Sequence, residues 1–237
     1  MDILAIGNSF SQDAARYLHA ISKSGGEPIT VVNLYIGGCS LERHYNNMLS
    51  DEKAYALECN GKSANLRVSL GEALSDRRWD IVTLQQVSHH SPKPETYAPY
   101  LTELAAYVRK QSPHAKLYIH QTWGYEDKSE KLLATGYDSF KQMQGDIVNA
   151  YSKAAADINA AGIIRSGEMF GKLLDAGIPG VHRDTFHASL GLGRYALGLL
   201  WYHTLTGNPV ADNRFADFDE PISKENIALS KATVDSF

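Results

Sequence analysis

The sequence has few cysteines and no long hydrophobic run. Cys39 and Cys59 are the only cysteines among 237 residues, so no disulfide framework supports the fold, and we expect both to be free thiols. No run of about 18 apolar residues occurs, so the sequence predicts no membrane-spanning helix. Lysine and arginine are scattered and the formal net charge is −4. We therefore expect neither a nucleic-acid partner nor a membrane partner.

The beginning of the chain shows no targeting segment. Met1 is followed at once by Asp2 and then by an apolar run, from Ile3 to Ile6, that is typical of a buried strand. We therefore expect a cytoplasmic protein, and a secreted or periplasmic location only if a leader has been removed. The sequence predicts no oligomeric state.

Short apolar runs alternate with helical patterns along most of the chain. The predicted strands are Ile3 to Ile6, Ile29 to Ile36, Ile81 to Leu84, Lys116 to His120 and Gly162 to Ile164. The predicted helices span about 11–24, 95–111, 137–161, 168–175 and 189–205. This alternation indicates an α/β fold, a three-layer α/β/α sandwich around a mostly parallel five-stranded sheet.

Two segments depart from this alternation. Between Tyr55 and Leu70, Asn60-Gly61 separates two short extended runs, which predicts a small β-hairpin excursion. The polar tail, about 208–237, has weak periodicity and is expected to be peripheral. No linker or repeat divides the chain, so residues 1–237 are predicted to form a single domain.

Polar and small residues follow the predicted parallel strands. Ser9 follows the first, Gly37-Gly38 the second, Gln85-Gln86 the third, and Gln121 to Trp123 the fourth. In open α/β sheets, ligands bind outside the carboxyl ends of the strands, near the point where the strand order reverses. The sequence therefore predicts a functional site at this edge of the sheet.

Two residue patterns at opposite ends of the chain indicate hydrolytic chemistry. Ser9 lies where a first helix begins, and with Gln12 it also fits a helix-capping box. His187 is one of nine histidines, but Asp184 precedes it by one turn of chain and can orient its ring. A serine, a histidine and a carboxylate are the components of a nucleophilic triad.

These patterns resemble the conserved blocks of a known superfamily. Gly7-Asn8-Ser9-Phe10-Ser11 and Asp184-Thr185-Phe186-His187 are similar to the first and last blocks of the SGNH/GDSL hydrolases, and Tyr35-Ile36-Gly37-Gly38-Cys39-Ser40-Leu41 stands at the second. Leu84-Gln85-Gln86-Val87-Ser88 and Gln121-Thr122-Trp123 resemble an uncharacterised bacterial branch. The resemblance runs from Ile3 to about Gly207 and implies a flavodoxin-like SGNH-hydrolase fold without a cofactor.

The resemblance also implies roles for individual residues. Ser9 would be the nucleophile, His187 the base and Asp184 its partner. The oxyanion hole would be formed by the backbone N–H groups of Ser9 and Gly38 together with the Gln85 amide. The family's third-block asparagine has no counterpart after the third strand, so Gln86 and Ser88 stay open as alternatives to Gln85. The side chains expected to bind substrate are Ser88, His89, Gln121 and Trp123, although Trp123 also suits plain packing.

The expected reaction is hydrolysis of a small O-acyl ester, with an acetyl group on a sugar as the form suggested by the superfamily. Two other functions stay open. A metal-dependent hydrolase could use His182, Asp184, His187 and the His89-His90 pair, although no H-E-x-x-H motif is present. A carbohydrate- or peptide-binding module could keep the fold without turnover.

Overall fold

One seven-stranded sheet runs through the computed structural model, which describes residues 1–237. The strands are β1 (Asp2–Gly7), β2 (Thr30–Tyr35), β3 (Tyr55–Cys59), β4 (Lys62–Val68), β5 (Ile81–Leu84), β6 (Lys116–Gln121) and β7 (Gly162–Arg165). Their order across the sheet is β4-β3-β2-β1-β5-β6-β7.

The five strands predicted from the sequence form the parallel part of this sheet. β1 pairs in parallel with β2 on one side and with β5 on the other, and β6 and β7 follow β5. Counting parallel strands alone, this is the flavodoxin-like order 2-1-3-4-5. All residues of β5 are buried because helices cover both faces of the sheet, so the predicted α/β/α class is confirmed.

The predicted count of five strands is wrong, because the hairpin belongs to the sheet. β3 pairs with β2 in antiparallel register, from Val32 opposite Cys59 to Tyr35 opposite Ala56, and β4 adds a further antiparallel strand. Asn60 and Gly61 have φ values of 52° and 76°, which a tight two-residue hairpin turn requires. The hairpin is therefore an antiparallel extension of the sheet.

Ten helices cover the sheet. They are α1 (Ser9–Ala15), α2 (Leu18–Ser24), α3 (Leu41–Ser50), α4 (Leu70–Ser75), α5 (Tyr100–Gln111), α6 (Glu130–Leu133), α7 (Phe140–Asp157), α8 (Ser166–Asp175), α9 (Leu192–Thr206) and α10 (Lys224–Val234), with a 3₁₀ turn at Pro94–Thr96. None is long and apolar enough to cross a bilayer. The single helix predicted over 11–24 is two helices, since the chain turns at Tyr17, whose hydroxyl donates to Leu190 O.

The C-terminal tail, predicted to be peripheral, contributes to the core. α10 packs against α8 and α9. Val210 and Val234 are fully buried, and they belong to the same core cluster of 60 buried residues that the sheet and the other helices share. The tail has no regular apolar period because only a few of its side chains make this contact.

Candidate active site

Ser9 lies at the start of α1, directly after the carboxyl end of β1. The helix cap that the sequence allowed for Ser9 is supplied by Asn8, whose side-chain oxygen accepts from Phe10 N at 3.0 Å. The Ser9 hydroxyl is therefore not used as a cap. Its Oγ lies 2.8 Å from Nε2 of His187, across 178 residues of sequence.

Asp184 holds both the ring and the backbone of His187. Oδ2 of Asp184 lies 2.8 Å from Nδ1 of His187, and Oδ1 accepts from His187 N at 2.9 Å. Partial burial would raise the pKa of Asp184, but hydrogen bonds from His187 outweigh it and hold the pKa below its usual value. Asp184 is thus ionised and accepts only, so Nδ1 of His187 donates to it and Nε2 faces the Ser9 hydroxyl.

An ion pair docks the loop that carries His187 onto the helix that carries Ser9. Asp13 of α1 is completely buried, and both of its oxygens lie 3.0 Å from Nη1 of Arg183. Arg194 of α9 donates to the same carboxylate from Nε at 2.8 Å. Because Arg183 immediately precedes Asp184, this contact limits how far Asp184 and His187 can move from Ser9.

Trp123 does not line the cleft, contrary to the prediction that it binds substrate. Its side chain is fully buried and stacks on Phe10 with ring centroids 4.1 Å apart. Its indole N–H donates to Phe186 O at 2.7 Å, and Glu126 N donates to Thr185 O at 2.7 Å. The plain packing alternative is therefore the correct one, and the indole also supports the loop before His187.

Gln121 is also turned away from the cleft. It is buried, its Nε2 donates to Oε2 of Glu168 at 3.1 Å, and its Oε1 accepts from Glu168 N at 3.2 Å. These bonds fix the first turn of α8. Gln121 therefore joins β6 to α8, and the prediction that it contacts substrate is wrong.

Two backbone N–H groups are available beside the Ser9 hydroxyl. Gly38 lies in a turn with a φ of 61°, and neither its N–H nor that of Ser9 donates to any acceptor of the protein. Both residues line the same cleft. Two unpaired donors in the same cleft as a serine hydroxyl are what a developing oxyanion would require.

Gln85 does not supply a third donor to this cleft. Its side chain is buried, its Nε2 donates to Oδ1 of Asn8 at 2.7 Å, and its Oε1 lies 2.9 Å from Nδ1 of His120. Gln85 is absent from the cleft lining because β5 directs it beneath Gly7. The prediction that its amide faces the oxyanion is therefore wrong.

Of the two alternatives to Gln85, Ser88 alone reaches the cleft. The Gln86 amide accepts from Leu41 N at 3.0 Å and donates to Thr96 O at 3.0 Å, so it connects α3 to the 3₁₀ turn. Ser88 lines the cleft, and its Oγ lies 2.8 Å from the hydroxyl of Tyr125.

The cleft has a volume of about 530 Å³ and opens between the ends of β1, β2 and β5. This is the switch point of the parallel sheet: from β1 the chain goes to β2 on one side, and it later returns to β5 on the other side of β1. His89, which the sequence predicts to contact substrate, is one of the residues that line the cleft. Burial, and after it the neighbouring His90, lowers the pKa of His89. Tyr125, Lys131 and Thr135 also line the cleft but lie outside every motif block of the sequence. Tyr35 and Phe186 line it from inside two of those blocks, although the sequence assigned them no role.

The residues proposed as metal ligands do not gather into a site. No group of three or more histidine, cysteine, aspartate or glutamate side chains is placed to hold a metal ion. Nε2 of His182 lies 3.1 Å from Gly124 O, and both ring nitrogens of His187 face Ser9 and Asp184. This arrangement favours a serine nucleophile over metal-dependent hydrolysis.

Comparison with known proteins agrees with this fold. A DUF4886 family protein from Bacteroides uniformis is 32% identical, with a TM-score of 0.91 over 100% of this chain and 93% of that chain. A protein from Slackia heliotrinireducens, described as a candidate SGNH hydrolase, is 23% identical, with a TM-score of 0.62 over 86% and 98% of the two chains. Axe2, an acetylxylan esterase from Geobacillus stearothermophilus, is 12% identical, with a TM-score of 0.51 over 91% and 94%.

No curated protein matches the sequence. The family model for a domain of unknown function, DUF4886, matches residues 2–235. The chain therefore belongs to the DUF4886 family, and its fold is that of the SGNH/GDSL hydrolases.

Proposed function

We propose that the protein is a serine esterase that hydrolyses small O-acyl esters. The observation that carries this proposal is the continuous line of hydrogen bonds from Ser9 Oγ to His187 Nε2 at 2.8 Å and from His187 Nδ1 to Asp184 Oδ2 at 2.8 Å. The contact of the Ser9 hydroxyl with His187 argues against a role as a helix cap alone. The buried ion pair between Asp13 and Arg183, which positions the loop of His187, argues against an ordinary surface histidine.

The reaction follows from the direction of these bonds. Ser9 Oγ attacks the ester carbonyl while Nε2 of His187 takes its proton, and Asp184 stabilises the imidazolium that forms. The tetrahedral intermediate collapses, the C–O bond to the alcohol breaks, and His187 returns the proton to that alcohol. Water then attacks the acyl-Ser9 ester by the same route, releasing the acid and restoring the serine.

The negative oxygen of the intermediate would be stabilised by the N–H groups of Ser9 and Gly38, which have no other acceptor. The Ser88 hydroxyl, held by Tyr125, is the side-chain donor that we assign in place of Gln85. Each such donor contributes about 10²–10³-fold to the rate in serine hydrolases.

The cleft favours a short acyl group on a polar carrier. Only six of its 17 lining residues are hydrophobic, and Lys131 lies at its rim with its Nζ 3.5 Å from the centroid of the Phe186 ring. A mixed lining, with the half-buried Phe186 ring and the Lys131 ammonium beside it, suits a short acyl group on a polar carrier better than a long alkyl chain. The acetylxylan esterase activity named for Axe2 supports an acetylated carbohydrate as the substrate class.

The test compares hydrolysis of p-nitrophenyl acetate by the wild type and by Ser9→Ala. We expect Ser9→Ala to lower kcat by about 10³-fold or more, because the nucleophile is lost. Ser152→Ala is the matched control, since Ser152 is also a helical serine but its hydroxyl only donates to Val148 O at 2.8 Å. Equal rates for wild type and Ser9→Ala would refute the esterase proposal.

Two further measurements separate the competing functions. A fluorophosphonate should add one phosphonyl group to Ser9, detected by peptide mass, and EDTA should leave the rate unchanged. Among p-nitrophenyl esters of graded chain length and acetylated sugars, the acetyl esters should be hydrolysed fastest. A rate that EDTA abolishes, with no label on Ser9, would favour the metal-dependent alternative.

A further inference from the structure

Behind the proposed oxyanion hole lies a buried line of polar side chains that the catalytic steps do not use. It begins at Ser166 on α8, passes through His120 on β6 and Gln85 after β5, and ends at Asn8. We propose that His120 and Gln85 are positioning residues that act through Asn8 to hold the two oxyanion N–H groups in place. This inference rests on the proposed function.

The chemistry of the end groups sets the direction of every bond in this line. The Gln85 Nε2 donates to Asn8 Oδ1 at 2.7 Å, so the Gln85 oxygen faces His120 and can only accept. Nδ1 of His120, 2.9 Å away, must therefore be the donor, and Nε2 must accept from the Ser166 hydroxyl at 3.1 Å. The ring is a single neutral tautomer.

Burial keeps His120 in this state. The ring is completely enclosed and meets Trp201 edge-on with ring centroids 4.9 Å apart. This burial lowers the pKa of His120 to about 3, so the ring stays neutral at physiological pH. A neutral ring with a fixed tautomer is a constant donor to Gln85.

Asn8 connects the line to both halves of the oxyanion hole. Its Oδ1 accepts from Phe10 N at 3.0 Å, which fixes the backbone just after Ser9. Its Nδ2 donates to Cys39 O at 3.0 Å, which fixes the backbone just after Gly38. If Asn8 rotated, the two N–H groups would lose their common support. Gln85 prevents that rotation because only the oxygen of Asn8 can accept its proton.

Gly7 provides the space that this line needs. A Cβ added at Gly7 would lie 2.8 Å from Oε1 and 2.9 Å from Cδ of Gln85. The absence of a side chain at Gly7 lets the Gln85 amide pass beneath the end of β1 and reach Asn8. Gly7, the first residue of the block that contains Ser9, therefore makes room for this line of side chains.

The test uses two variants of His120 that differ in one respect. His120→Asn keeps a donor near the position of Nδ1 and loses the bond from Ser166, whereas His120→Leu loses both. With p-nitrophenyl acetate we expect His120→Leu to lower kcat by about 10- to 100-fold with KM changed by less than about 2-fold, because an oxyanion donor acts mainly in the transition state. His120→Asn should restore kcat to within about 3-fold of wild type.

Gln85→Met is the second perturbation if His120→Leu fails to fold, and it should lower kcat in the same way. The control is Asn213→Ala. Asn213 is buried and also bridges two backbone segments, accepting from Phe215 N at 3.1 Å and donating to Ile21 O at 2.8 Å, but it lies outside the cleft. Asn213→Ala should lower the Tm by about as much as Gln85→Met does and leave kcat unchanged.

The outcomes distinguish this inference from the proposed function. Wild-type kcat in Gln85→Met, or equal kcat in His120→Leu and His120→Asn, would refute the positioning role while leaving the esterase intact. A loss of kcat in Asn213→Ala as large as that in Gln85→Met would assign the effect to stability. A wild type without Ser9-dependent turnover would refute the proposed function and this inference with it.

Discussion

Removal of the Asp13 carboxylate should destabilise the fold and separate His187 from Ser9. Asp13 is fully buried and accepts from Arg183 and Arg194, whose side chains are 25% and 14% exposed. Loss of one partner of a buried ion pair typically costs about 3–5 kcal/mol, because the remaining charge is left without compensation. Arg183 retains access to water, and Arg194 retains Asp219 at 2.9 Å. We therefore expect the lower end of that range for Asp13→Ala, about 3 kcal/mol.

The corresponding fall in Tm follows from the size of the protein. For 150–250 residues, 1 kcal/mol shifts Tm by about 2–4 °C, so Asp13→Ala should lower it by about 6–12 °C. Asp13→Ala should also lower kcat, independently of its lower Tm. Without the carboxylate, the loop with Asp184 and His187 loses its ion pair to α1, and kcat should fall by about 10-fold or more at a temperature where the variant is still folded.

Thermal unfolding followed by circular dichroism, together with p-nitrophenyl acetate kinetics at 25 °C, would measure both effects. Asp219→Ala is the control because it removes the same charge from the same network, where it pairs with Arg16 and Arg194 at the surface. It should cost less stability and leave kcat unchanged. An Asp13→Ala variant that keeps wild-type kcat, or loses less than about 1 kcal/mol, would contradict the reasoning.

Two more predictions concern Gly38 and the pH dependence of stability. Gly38→Ala should lower kcat. The φ of Gly38 is 61° and an added Cβ meets no atom within 4 Å, so the substitution acts only through backbone strain of about 1–2 kcal/mol. Relief of that strain would displace the N–H proposed for the oxyanion hole. Gly26 has a φ of 83° and equally open space, so Gly26→Ala should lose the same stability and keep full activity. Equal kcat values in Gly38→Ala and Gly26→Ala would contradict this prediction. The hydrogen bond from Arg16 is the main cause that lowers the pKa of Asp219 to about 2. Because this pKa lies below its value in the unfolded chain, the contribution of Asp219 to stability is complete above about pH 4 and is lost as the pH falls towards 2. Asp219→Asn should therefore lose less stability than the wild type between about pH 4 and pH 2. An unchanged slope of stability against pH in this range would contradict the prediction.

The parallel strands and the residue types of the candidate triad could be predicted from the sequence. Buried parallel strands are continuous apolar runs, and the run from Ile81 to Leu84 coincides with β5. A short loop also constrains Asp184 and His187 by itself, because only Thr185 and Phe186 lie between them. The proximity of this pair to Ser9, by contrast, was implied only by the resemblance.

The roles of the glutamines and of Trp123 could not be predicted in the same way. An amide after a strand has the same chemistry whether it faces a cleft or a neighbouring side chain, so Gln85 and Gln121 were assigned to the cleft although both are buried. Trp123 lies at the expected edge but points inward. Strand-end position identifies the edge of the sheet and leaves the direction of each side chain undetermined.

The parallel strands, and a serine and a D-x-x-H pair at strand and loop ends, can be recognised from the sequence alone. These are local properties, since each depends on residues within one turn or one strand. Three features follow from the tertiary structure alone: Ser9 meets His187, Asn8 rather than Ser9 caps α1, and Gln85 lies behind the proposed oxyanion hole. Those outcomes depend on which strands pair and on which side chains compete for the same buried donors and acceptors, and both are settled when distant segments pack together.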